Sequence, residues 1–327
     1  MDSIPIFFTF DRNFILAAGV AFYTLLENAS PKYSYHLYVV HTDLTEKDEV
    51  ILKKIVNRFS NVELSFKNAR GYDTAWNKLR NKSHFSKEIF YKMTAASMFP
   101  QYDRILFSDV DVIFKGDISE SYFLFLNEKF YFAGTRPILE NTNLPGYQRE
   151  FNSEEINIIS KYEISAGYML INLKCMREDN KETQLTSFFH KNIDRLRLPE
   201  QDCIALCCAP NIRFLDYKYV VCGFQFYVDT TKCVFNRNNP TLANRKQAMK
   251  IYSEMLEKVV QLHYPGPDKP WNNPFVPKYN EWLKACKRSS LFYLYIMKQP
   301  HFFIQRLKRY SLRRFFQKIN KRYFIKS

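Results

Sequence analysis

The chain has 327 residues, 46% of them hydrophobic and 25% charged, the balance of a soluble globular protein with room for one large α/β domain or two smaller ones. No apolar run approaches the roughly 20 residues of a membrane span, and Met1-Asp2-Ser3-Ile4-Pro5 lacks the basic stretch of a secretory signal. The net charge of +15 is uneven: Lys284 onward carries 13 Lys or Arg and no Asp or Glu, leaving 35 basic against 33 acidic side chains elsewhere.

In chain order, residues 4–10 read as a strand and 14–28 as a helix. A second strand at 35–41 precedes a helix over 45–59 with apolar residues at 51, 52, 55 and 56. Residues 62–66 form a third strand, 87–98 a helix stopped by Phe99-Pro100, and 104–108 a fourth strand. Such alternation argues for a mostly parallel sheet flanked by helices. Ligands of such sheets bind beyond the carboxyl ends of the strands, which puts Asp11 and Asp109 at one crevice. Further on, 130–134 and 168–173 read as strands, and 184–196 and 201–208 as helices. The polar, Asn- and Glu-rich stretch 136–161 reads as a surface loop or lid. Pro274 and Pro277 punctuate the change to the basic tail, and no internal repeat is present. The seven cysteines include no Cys-x-x-Cys pair, which points to reduced thiols in the cytoplasm.

Two features carry chemistry. Asp109 and Asp111 follow a strand-like run, and two anions held close together are costly without a cation between them. Hard carboxylate oxygens suit Mg²⁺ or Mn²⁺; the plainer alternative is a solvated acidic loop. The second feature is His263-Tyr-Pro-Gly266-Pro-Asp-Lys269-Pro-Trp271. An imidazole, a glycine allowing close backbone approach and a mobile ammonium within seven residues are what a metal–diphosphate complex requires.

Together with Thr9-Phe10-Asp11-Arg12-Asn13, Phe90-Tyr91-Lys92, Ser165-Ala166-Gly167, Leu170 to Lys174 and Glu200-Gln201-Asp202, these segments resemble, in order and spacing, glycosyltransferase family 8. That family includes bacterial lipopolysaccharide galactosyl- and glucosyltransferases, and the resemblance spans residues 4 to about 275. It implies an α/β GT-A fold with a nucleotide-binding half and an acceptor half. Asp109, Asp111 and His263 would hold Mn²⁺ (or Mg²⁺) against the diphosphate of a UDP-sugar. Thr9, Phe10, Asp11 and Asn13 would line the uridine pocket, and Gly266 and Lys269 would contact the diphosphate. Lys92 stands where the family usually has Arg, Ser165 beside Ala166 and Gly167 where Asn is usual, and Glu200 where Asp is usual. His84 matches an acceptor-side position.

The resemblance further implies retention at the anomeric carbon, with Gln201 between Glu200 and Asp202 in the catalytic group. Glutamine is a weak nucleophile, so a same-face substitution fits better than the double displacement of retaining glycosidases. The implied substrates are UDP-galactose or UDP-glucose and a lipid-linked saccharide of lipopolysaccharide, lipooligosaccharide or another surface glycan. Two other readings of the whole chain are a metal-dependent phosphatase and a non-catalytic, membrane-bound sugar-nucleotide binding protein. The division expected is a catalytic domain over 1–275 and a membrane-association segment over 276–327. Within that segment, aromatic and basic residues interleave over 302–326 as amphipathic helix, suited to an anionic membrane surface. Packing on the body and nucleic-acid binding are the other uses of such a pattern; the reading adopted is peripheral attachment to the inner face of the cytoplasmic membrane, with no nucleic acid.

Overall fold

The computed structural model describes residues 2–72, 87–137, 145–222, 254–255 and 257–309. The chain begins with β1 (Ser3–Thr9), α1 (Ile15–Glu27), β2 (Ser34–His41), α2 (Glu46–Val56) and β3 (Val62–Asn68). Strand β1 is buried from Ile4 to Thr9, the near-continuous apolar run of a strand covered on both faces. Helix α1 is apolar all round and buried from Ile15 to Leu26, because the sheet lies on one side of it and C-terminal helices on the other. Helix α2 is amphipathic and starts at a capping box formed by Thr45 and Asp48.

The middle of the chain adds α3 (Ala95–Met98), β4 (Arg104–Ser108), β5 (Val112–Phe114), α4 (Ser119–Tyr122) and β6 (Phe132–Thr135). There follow α5 (Pro145–Glu150), α6 (Ser153–Tyr162), β7 (Tyr168–Asn172), α7 (Leu173–Glu178), α8 (Lys181–Asn192), α9 (Pro199–Cys208) and β8 (Ile212–Leu215). Strands β9 (Val221–Cys222) and β10 (Gln261–His263) precede α10 (Tyr279–Arg288) and α11 (Phe292–Arg309). The seven-stranded sheet has the order β3-β2-β1-β4-β7-β6-β8. Only β7 runs against its neighbours β4 and β6; the remaining pairings are parallel. The mostly parallel α/β sheet expected from the alternation is therefore present. A second sheet, β5-β10-β9, stands beside it.

Two expectations need correction. The stretch read as a polar loop or lid carries α5 and α6, which bury Tyr147, Phe151 and Ile159. A second capping box, Asn152 with Glu155, starts α6. The helix expected over 87–98 is mostly 3₁₀ turns, from Lys87 to Thr94, before the short α3. In the C-terminal segment, α10 and α11 cover residues 279–309. Trp282, Cys286, Leu291, Tyr295 and Phe302 are buried with Leu16 and Val20 of α1 in one cluster. The tail beyond residue 309 lies outside the described residues.

Candidate active site

Asp109 and Asp111 sit in the bend that joins β4 to β5, not on a strand. The small sheet brings their partner from 150 residues away: β10 pairs antiparallel with β5, placing His263 opposite Val112. The Tyr264 amide then donates to the Asp111 carbonyl at 2.9 Å. Backbone pairing thus fixes the imidazole beside the carboxylates before any side chain chooses a rotamer.

His263 Nε2 lies 3.1 Å from Asp111 Oδ1 and 3.5 Å from Asp109 Oδ2. One ligand atom from each of the three residues falls within 4.8 Å of the others. Two carboxylate oxygens and one imidazole nitrogen at that separation suit a divalent cation such as Mn²⁺ or Mg²⁺. Lys269 Nζ contacts Asp111 Oδ2 and donates to the Tyr264 carbonyl at 2.8 Å. Burial works against a charged imidazole at His263, but the charge and hydrogen bond of Asp111 outweigh it and raise the pKa to about 10. Burial pushes Asp109 up, against the pull of Lys92. At Asp111 burial is overcome by His263 and Lys269, which hold the carboxyl well below its ordinary range.

Two glycines shape the cradle. The Asp109 amide donates to the Gly167 carbonyl at 3.0 Å. A Cβ on Gly167 would lie 2.6 Å from His263 Cε1, 2.7 Å from His263 Nδ1 and 3.4 Å from Asp109 Oδ2. Gly167 is thus a close-approach glycine, and no side chain fits there without moving a ligand. Gly266 has φ of 85° with open space around it, a backbone conformation that favours glycine; it borders the cleft beside Lys269.

The cleft measures about 1440 Å³, and Thr9, Phe10, Asp11, Asn13, Ser165, Ala166, Gly167, Glu200 and Gln201 line it with the acid–imidazole cluster. Asp11 accepts from the Asn13 amide at 2.8 Å, capping the turn after β1. Lys92 stands behind this lining, 1% exposed, with Nζ 2.7 Å from Glu200 Oε2 and 4.3 Å from the Phe107 ring centre. It also donates to the Ala166 carbonyl at 3.2 Å. Asp202 is fully buried and accepts from the Arg197 and Leu198 amides and the Tyr147 hydroxyl. His84 lies outside the described residues. The sequence reading did not single out Arg136, or Lys298 and His301 on α11, all of which line the cleft; they belong to no short motif.

The Lys92–Glu200 pair carries a pH signature. Burial raises Glu200 from 4.5 to about 7, against the pull of Lys92. A carboxyl raised on folding contributes stability below its unfolded pKa, and that contribution is lost as pH climbs through the folded value. Lys92→Met removes the counter-charge, and at pH 8 it is expected to cost about 3 kcal/mol. The loss should shrink at pH 6, where Glu200 is mostly protonated. Equal losses in denaturant melts at the two pH values would contradict the pairing.

Comparison with known proteins agrees with this geometry. The chain is 22% identical over 294 residues to General stress protein A of Bacillus subtilis, covering 86% of this chain and 93% of that protein. It is 20% identical over 296 residues to the lipopolysaccharide 1,3-galactosyltransferase of Salmonella typhimurium, covering 88% and 79%. Among solved structures, the galactosyltransferase LgtC in complex with donor and acceptor sugar analogues superposes with a TM-score of 0.65 at 16% identity, covering 87% of this chain and 96% of that one. The bifunctional glycosyltransferase WbbM superposes with a TM-score of 0.72 at 17% identity over 91% of this chain, which spans 52% of that larger protein. These likenesses place the sheet and its flanking helices in the GT-A fold. The family model for glycosyl transferase family 8 matches residues 5–274, from the first strand through the His263–Trp271 segment, and the chain belongs to that family.

Proposed function

We propose that the protein is a retaining hexosyltransferase that moves galactose or glucose from a UDP-sugar to a lipid-linked saccharide of a cell-surface glycan. The observation that carries the reading is the convergence of Asp109, Asp111 and His263 beside Gly266 and Lys269 in one cleft of a family 8 chain. The names of two similar proteins, a lipopolysaccharide galactosyltransferase and a galactosyltransferase seen with donor and acceptor analogues, support the substrate class.

When bound by Asp109, Asp111 and His263, Mn²⁺ (or Mg²⁺) supplies a Lewis acid that neutralises the diphosphate as it leaves. Lys269 adds a positive charge on the same side, and Gly266 lets the backbone approach the phosphates. Thr9, Phe10, Asp11 and Asn13 form the nucleoside end. A double displacement would need a free carboxylate under the sugar. Glu200 is paired with Lys92 and Asp202 accepts three hydrogen bonds, so neither is free for attack. Gln201 lines the cleft beside Glu200, and this supports a same-face substitution. Gln201 then orients the acceptor or stabilises the developing positive charge, and the leaving phosphate accepts the acceptor's proton. Ser165, Ala166 and Glu200 border the donor sugar.

Attachment to the inner face of the cytoplasmic membrane belongs to the same proposal. Among the described residues no helix is long and apolar enough to cross a membrane. Tyr293, Ile296, Phe303, Ile304 and Leu307 are exposed along one side of α11, and the sequence after residue 309 is rich in Lys and Arg. Full-length chain should sediment with anionic vesicles, and a chain ending at residue 309 should sediment much less; equal sedimentation would remove the tail from the account. The enzymatic reading is tested by incubating the protein with a panel of UDP-sugars. UDP release from UDP-galactose or UDP-glucose with Mn²⁺, abolished by EDTA, is expected. No release from any hexose donor would refute it.

A further inference from the structure

Helix α11 does more than cover α1. Lys298, His301, Phe302 and Gln305 line the cleft, on the side that also carries Phe14, Trp271 and Asn272. Their spacing of three and four residues puts them on one helix face, opposite the exposed Tyr293, Ile296, Phe303, Ile304 and Leu307.

The helix is fixed in register with the phosphate loop. Gln299 Nε2 donates to the Trp271 carbonyl at 3.1 Å. An aromatic chain runs from Tyr295 to Trp282 at 5.7 Å, to Trp271 at 5.8 Å and to Phe14 at 5.8 Å between ring centres. The segment that follows the diphosphate loop and the residue that opens α1 are thereby locked to the C-terminal helix. Such a wall is rigid enough to hold a ligand rather than merely cover one.

Beside the apolar Met297 and Phe302, α11 brings Lys298, His301 and Gln305 to the cleft. Lys298 is half-buried; burial lowers its pKa, opposed by the carboxylates of Asp48 and Asp11, with Arg12 also near. Arg12 in turn lies 3.6 Å from Asp48. A cation thus faces the cleft near Asp11, which lines it as well. His301 is one turn further along, its Nε2 2.7 Å from Gln305 Nε2. An ammonium and an imidazole suit the oxygens of a ribose and the phosphate next to it.

We propose that Lys298 and His301 form a second wall of the nucleotide site and bind the nucleoside diphosphate of the donor, so that the site is incomplete without the C-terminal helix. The inference rests on the reading of the cleft as a nucleoside-diphosphate-sugar site. It assigns a ligand contact to a part of the chain beyond residue 274, where the family match ends.

Calorimetric titration of the full-length protein with UDP, in the presence of Mn²⁺, tests it. The double variant Lys298→Ala/His301→Ala is expected to bind UDP about tenfold more weakly, as two lost polar contacts would give. Its KM for the donor should rise in parallel while kcat at saturating donor stays within about twofold, the signature of lost ground-state binding. Lys191→Ala, an exposed lysine on α8, should leave UDP affinity unchanged. Should the double variant melt early, Lys298→Gln and His301→Gln carry the test singly, each expected to weaken UDP about threefold. Wild-type affinity in a folded variant overturns the inference while leaving the nucleotide reading standing. Failure of the wild-type protein to bind UDP overturns both.

Discussion

Replacing Asp111 with Asn is expected to lower turnover at saturating donor and metal by roughly 10²–10³-fold, the loss seen when one group aimed at developing charge is removed. Asparagine keeps the shape and removes only the charge. Asp111 lies 3.1 Å from His263 and also contacts Lys269, so two functions fail together. One metal ligand is lost, and Lys269 loses the carboxylate that holds it at the site. Mn²⁺ affinity should fall with turnover, and in the metal-free protein the His263 pKa, followed by NMR, should drop from its raised value, because burial then acts on the imidazole without the Asp111 charge. Wild-type turnover in the folded variant, or turnover undiminished in EDTA, would remove the metal from the account.

Gly167→Ala is the second large effect, and it arises from one methyl group. The added Cβ would sit 2.6 Å from His263 Cε1 and 2.7 Å from Nδ1, distances that force the ring to move. The imidazole cannot retreat easily, because β10 pairs with β5 on one side and with β9 on the other. A ligand displaced by about 1 Å costs roughly 100-fold in rate, and Mn²⁺ affinity should weaken with it. Gly71→Ala is the matching control, since a Cβ there meets nothing within 4 Å. Metal titration and kinetics on both variants decide the matter. Equal behaviour of the two alanines would mean that His263 is not held where the metal needs it.

Much of this was legible in the residues. The first four strands of the main sheet run for five to eight residues, β1, β2 and β4 largely buried and β3 only half-buried, long enough for an apolar pattern to speak. Asp109, Asp111 and His263 announced themselves by residue type, and the structure brings them together. What joins them was not legible. Strands β5 and β10 have three residues each, too short for any pattern to register. Helices α5 and α6 were hidden because Tyr147, Phe151 and Ile159 are spaced among Asn and Glu. The capping box of Asn152 and Glu155 was a local signal that such a composition masks. Lys92 read as a cofactor-binding cation in the position where the family usually has Arg, whereas it lies beneath the cleft floor against Glu200; a motif gives residue order, not depth.

The C-terminal helices make the same point at larger scale. Aromatic and basic residues at helical spacing serve a lipid surface and a protein core equally well. Trp282 and Tyr295 join the core beside α1, while Tyr293 and Leu307 remain exposed. Helix α11 therefore presents one face to the core and one to solvent, and only tertiary contacts distinguish them.

The central claim is that Asp109, Asp111 and His263 bind one divalent cation against the diphosphate of a nucleotide sugar. Crystals grown with Mn²⁺ and UDP, measured at the manganese absorption edge, test it most directly. The account predicts one anomalous peak within bonding distance of both carboxylates and His263 Nε2, with the UDP phosphates on its open side and Lys269 turned from Asp111 toward them. Bound UDP with no peak at that position, and Lys269 still paired with Asp111, would contradict it.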